Sequence, residues 1–89
     1  MVSRDITIDS VLGIHLRPAG AMCEEAVKYN SKIYFEYGEG KTANAKSVIS
    51  ILAAGVKCGE VIRLTATGED EQKAIEAVTE AVTKSLKED

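Results

Sequence analysis

The sequence of 89 residues has no tryptophan, one phenylalanine, one proline, one histidine and two cysteines. Cys23 and Cys58 lack a CxxC spacing and a histidine cluster, which argues against a disulfide framework and against a bound metal. Both read as free thiols of a reducing cytosol, Cys23 in the core and Cys58 in a loop. No apolar stretch approaches the roughly 18 residues of a membrane span. Met1-Val2-Ser3-Arg4-Asp5 runs straight into an alternating pattern rather than into a signal-peptide segment. A cytoplasmic chain with no membrane partner is therefore expected. Basic residues are in deficit: 11 Lys and Arg against 14 Asp and Glu leave a net charge of −3, so no nucleic-acid partner is expected. This length supports one modest core, and residues 1–89 are expected to form one domain.

The only histidine and the only proline fall together in Leu12-Gly13-Ile14-His15-Leu16-Arg17-Pro18-Ala19. Pro18 has a fixed φ and no N–H, which suits the first turn of a helix. Ala19, Met22, Cys23, Ala26 and Val27 then recur at helical spacing. The first-turn amides of a helix have no intrahelical acceptor, and the expected N-cap, Leu16, has no side-chain oxygen to satisfy them. Such an N-terminus attracts anions, and Arg17 adds a planar cation suited to bidentate phosphate binding. The helix dipole disfavours a second positive charge beside it. A neutral His15 ring has a lone pair to donate and can attack phosphorus. The resulting dianion would be stabilised by the unpaired amides and by Arg17.

A lone histidine before a helix is ordinarily a cap or loop residue, but Gly-x-His-x-Arg-Pro-Ala is much rarer than its parts. It resembles the active-site signature of the HPr family, the histidine-containing phosphocarriers of the bacterial phosphoenolpyruvate:sugar phosphotransferase system. The resemblance implies that His15 carries a phosphoryl group on Nδ1, between Enzyme I and a sugar-specific Enzyme IIA. Arg17 and the backbone N–H groups of Leu16 and Arg17 would hold it. It implies a carrier rather than an enzyme, without metal or organic cofactor, acting as a monomer.

In chain order, alternation over residues 2–9 predicts a strand, followed by the His15 loop and a helix over 17–28. Ile33, Phe35 and Tyr37 alternate with Lys32, Tyr34 and Glu36 in a second strand. After the Gly38-Glu39-Gly40 turn comes a short strand over 41–43. A helix opens at Ser47 and ends at Gly55. A fourth strand covers 61–67. The last helix starts among Glu69, Asp70 and Glu71, with Ala74, Ile75, Val78, Ala81 and Val82 as its core stripe and Lys84 and Lys87 near its end. In the order β-α-β-β-α-β-α, placing strand four between one and two makes every neighbouring pair antiparallel and gives the sheet order 1-4-2-3. The fold class is α+β, an open-faced β-sandwich with three helices on one face.

The short helix after Ser47 carries more apolar surface than one face can bury. Val48, Ile49 and Leu52 either complete the core or form a docking patch; the resemblance favours the patch. Asn44-Ala45-Lys46-Ser47-Val48-Ile49 also resembles the regulatory-serine segment of Gram-positive HPr proteins. This implies phosphorylation of Ser47 by an HPr kinase/phosphorylase and a catabolite-control transcription regulator as a further partner. An HPr-like module acting mainly through phospho-Ser47 is the alternative function. Leu12 and Leu16 depart from the family pattern, which usually has polar or small residues there, and neither side chain can donate to phosphate. Gly20 places a poor helix former in the first turn, at a cost of up to about 1 kcal/mol.

Overall fold

The computed structural model describes residues 1–88; the last residue of the expected 1–89 unit lies outside the described residues. The elements are β1 (Val2–Thr7), α1 (Leu16–Ala26), β2 (Lys32–Tyr37), β3 (Lys41–Asn44), α2 (Val48–Ala53), β4 (Val61–Thr67) and α3 (Glu71–Lys87). One four-stranded sheet has the order β1-β4-β2-β3, antiparallel throughout, as the connection argument requires.

Strand alternation places one set of residues on the covered face. Ile6 lies opposite Ile62, Ile33 opposite Ala66, and Phe35 opposite both Leu64 and Ala43, and all of these are buried. Met22 from α1, Ile51 from α2, and Ile75, Val78 and Val82 from α3 close over them. Burying each of the larger side chains contributes about 1.5–3 kcal/mol. α1 packs against both α3 and α2, and α3 also covers β1 and β4. This leaves the start of α1 at the end of the sheet where β1 hands over to the His15 loop.

Several boundaries differ from the sequence reading. β1 stops at Thr7 rather than at residue 9, but Ile8 still donates to the Glu60 carbonyl at 2.8 Å and accepts from Gly59 N at 2.6 Å. α1 spans 16–26 rather than 17–28; its last turn tightens, with Lys28 N donating to the Glu25 carbonyl at 3.2 Å. β3 gains Asn44. Ala81 is only half-buried, and Leu86 extends the core stripe of α3 in its place.

α3 begins at Glu71, so Glu69 and Asp70 lie outside it. Asp70 is the N-cap residue, but its carboxylate does not cap its own helix. It turns across the fold and accepts from Asn30 N at 2.9 Å, from Ser31 N at 3.0 Å and from the Ser31 hydroxyl. The Ser31 hydroxyl foremost, then the Asn30 amide, hold this carboxyl below the usual aspartate range. A carboxyl depressed on folding stabilises the native state above its unfolded pKa of about 3.9, and that contribution is lost as pH falls through the folded value. Asp70→Ala should therefore melt at a lower temperature than the unaltered chain at about pH 7, with a deficit that narrows below about pH 4. Thermal melts across that range check the expectation.

Candidate functional site

The residue at the N-cap of α1 is His15, not Leu16. Its backbone is extended (φ −95°, ψ −169°), and its side chain does not cap the helix. The shift of one position follows from the first helical bond, in which Ala19 N donates to the His15 carbonyl at 3.0 Å. Pro18 therefore falls at the third helical position, still within the first turn. His15 N donates to the Gly13 carbonyl at 3.2 Å, and Pro18 has no N–H. Among the described residues the amides of Leu16 and Arg17 have no protein acceptor. Two adjacent N–H groups thus remain for an anion beside the imidazole, at the positive end of the helix.

The loop before the ring is fixed from below. Gly13 N donates to the Ser10 carbonyl at 2.9 Å, and Ile14 N donates to the Val56 carbonyl at 3.0 Å. Ile14 is buried, as are Pro18 and Ala19 on the other side of His15. His15 is partly buried between these anchors, while Leu16 and Arg17 are exposed. Gly13 makes the approach to residues 56–58 feasible: its φ is +68°, and a Cβ there would meet the Val56 carbonyl oxygen at 2.4 Å. Sequence reasoning missed this platform. Nothing in Val56-Lys57-Cys58 marks it locally, because its role is a backbone contact with a loop some 40 residues earlier in the chain.

Ser47 caps α2 as expected, its hydroxyl accepting from Ser50 N at 3.2 Å, and Gly55 follows the helix with φ +62°. Of the apolar residues of α2, Ile51 is fully buried and Val48 partly so, whereas Ile49 is 82 % exposed and Leu52 is also exposed. The Lys46 ammonium donates to the Tyr29 carbonyl at 2.7 Å, and the Cys23 thiol donates to the Lys46 carbonyl at 3.3 Å. Cys23 is therefore half-buried between α1 and the start of α2 rather than in the core. These bonds tie the segment just before α2 to the second half of α1. The chain after α2 returns to the His15 loop through the Val56–Ile14 bond. His15, Leu16 and Arg17 thus form one cluster. Ser47 opens α2, which packs against α1, and is no part of that cluster.

A histidine capping the first of three helices on a 1-4-2-3 antiparallel sheet defines the class: the histidine-phosphocarrier type of open-faced sandwich. The comparisons with known proteins narrow this. Residues 2–84 match the family model described as "PTS HPr component phosphorylation site". The phosphocarrier protein HPr of Buchnera aphidicola subsp. Schizaphis graminum is 40 % identical over 83 residues, which cover 93 % of this chain and 96 % of that one. A histidine-containing phosphocarrier protein of Mycoplasma superposes with a TM-score of 0.92 at 30 % identity, covering 96 % of both chains. The Bacillus subtilis catabolite-repression protein Crh gives a TM-score of 0.73 at 33 % identity, covering 96 % of this chain and 97 % of that one. The chain belongs to the HPr family of phosphotransferase-system phosphocarriers.

Proposed function

We propose that this chain relays a phosphoryl group from phosphorylated Enzyme I, through His15, to a sugar-specific Enzyme IIA. The observation that carries this reading is the pair of Leu16 and Arg17 amides that, among the described residues, have no protein acceptor beside the ring. In each transfer a bond from the imidazole nitrogen (Nδ1, as the family resemblance implies) to phosphorus forms as the donor's bond to phosphorus breaks. The reverse exchange delivers the group to the acceptor. The two amides and the Arg17 guanidinium receive the charge on the phosphoryl oxygens, and the amides are fixed by the backbone, so they need little reorganisation. The chain turns over no substrate alone; partner residues complete each transfer site, and no metal or organic cofactor takes part. It acts as a monomer in the cytoplasm. No helix of the described residues is long and apolar enough to cross a membrane.

The test is incubation with phosphoenolpyruvate and Enzyme I, followed by intact-mass and peptide analysis. One acid-labile phosphate on the His15 peptide is expected. Acid-stable phosphate alone, or none, contradicts the proposal.

A regulatory use of the same fold gains support from Ser47 as the cap of α2 and from the likeness to Crh. In this reading an HPr kinase/phosphorylase modifies Ser47 and a catabolite-control regulator reads the product. A phosphate at an N-cap suits the dipole, so the fold survives while the Val48, Ile49 and Leu52 patch acquires charge. Ser47→Asp keeps a capping oxygen. It should therefore melt close to the unaltered chain, yet require a concentration on the order of tenfold higher for half-maximal transfer from Enzyme I. Because the Ser47 hydroxyl caps α2 and not the helix that carries His15, the maximal rate should change little, and transfer kinetics over a range of chain concentrations separate the two effects.

A further inference from the structure

A single peptide group joins the His15 loop to the segment after α2. Its carbonyl, from Val56, accepts from Ile14 N at 3.0 Å, and Ile14 directly precedes His15. Its N–H, from Lys57, donates to Oε1 of Glu60 at 2.7 Å. A trans peptide is planar, so its N–H and C=O point in opposite directions and cannot turn independently. Holding the Lys57 N–H therefore aims the Val56 carbonyl at Ile14. The holder is a carboxylate at short range, which makes the stronger kind of hydrogen bond. Polarising the N–H also makes the carbonyl on the same peptide a better acceptor.

Packing offers no substitute for this bond. Val56 is buried, but Lys57, Cys58, Gly59 and Glu60 are all exposed. Gly59, at φ +92°, has no side chain to stiffen the turn. Glu60 clasps the turn twice: its N donates to the Lys57 carbonyl at 3.1 Å, and its carboxylate takes the Lys57 N–H. The same turn holds the other end of the loop, through the bonds of Ile8 to the Glu60 carbonyl and to Gly59 N. The chain leading into His15 is thus gripped at both ends by residues 56–60.

We propose that Glu60 is a positioning residue for phosphoryl transfer, acting on His15 through the Val56–Lys57 peptide and the Ile14 amide. The inference rests on the carrier function proposed above. A ring displaced against the Leu16 and Arg17 amides lines up poorly with phosphorus, which slows the transfer step without weakening docking.

Rapid-quench transfer from phosphorylated Enzyme I, with the concentration of this chain varied, tests the role together with hydrogen exchange at the Ile14 amide. Glu60→Ala should exchange that proton about tenfold faster. It should lower the saturated transfer rate about threefold to tenfold and leave the half-saturating concentration unchanged. Glu60→Gln keeps an acceptor oxygen at the same reach without the charge, so it should recover most of the loss in both. Should Glu60→Ala melt too low to assay, Glu60→Asp, one methylene short of the Lys57 N–H, replaces it with the same expected losses. An unchanged Ile14 exchange rate, an unchanged saturated rate, an effect on the half-saturating concentration instead, or an equal loss in Glu60→Gln would overturn the positioning role. If the unaltered chain takes up no phosphate on His15, the carrier reading itself fails, while the exchange measurement still decides whether Glu60 holds Ile14.

Discussion

His15→Ala should accept no phosphate from phosphoenolpyruvate and Enzyme I, a complete loss rather than a slowing. The sequence contains no second histidine, so no other imidazole can form the acid-labile bond. The anion site would persist, since the Leu16 and Arg17 amides belong to the backbone, but a site that binds phosphate without a nucleophile cannot carry it. The fold should persist. His15 gives α1 no side-chain cap and its backbone is extended, a conformation alanine adopts freely, so the variant should still melt in one cooperative transition. Radiolabelled transfer and a thermal melt on the same preparation check both halves. Loss of uptake with a large fall in melting temperature would signify a structural role for the ring instead.

Gly13→Ala should damage both stability and transfer without touching the nucleophile. At φ +68° a side chain costs about 1–2 kcal/mol. The new Cβ would also stand 2.4 Å from the Val56 carbonyl oxygen and 2.9 Å from Lys57 Cα. Both are backbone atoms, so the two loops must part. The Ile14–Val56 hydrogen bond, 3.0 Å long in the native fold, would be strained or lost at about 1 kcal/mol. A total of about 2–3 kcal/mol lowers the melting temperature of a domain this size by about 8–24 °C. Because Ile14 immediately precedes His15, the same displacement swings the ring away from the two amides, and transfer should slow even at temperatures where the protein stays folded. Calorimetry together with single-turnover transfer well below the transition separates the two losses.

What the sequence discloses here is local pattern and chain connection. The limits of β4 follow from strict alternation of Ile62, Leu64 and Ala66 against Val61, Arg63, Thr65 and Thr67. The sheet order follows from the tight turn that pairs β2 with β3 and from placing β4 between β1 and β2, which makes every neighbouring pair antiparallel. The cluster of His15, Leu16 and Arg17 is legible because its members are adjacent in the chain and Pro18 marks the helix start. Contacts between distant residues are not legible. Asp70 resembles a helix cap in sequence and instead fastens Asn30 and Ser31, some 40 residues away. The platform of Val56 under Ile14 exists only once the sheet has brought those segments together. The misplaced cap is a smaller matter: one residue decides which carbonyl receives the first helical bond, and helix ends are seldom fixed better than that by pattern.

The most direct measurement is an amide NMR spectrum of the labelled chain before and after phosphorylation by Enzyme I. If the head of α1 holds the phosphate, the Leu16 and Arg17 amide protons move strongly downfield, further than those of α2, and return when the group is passed on. Unmoved resonances at 16 and 17, with the largest changes near Ser47, would contradict it.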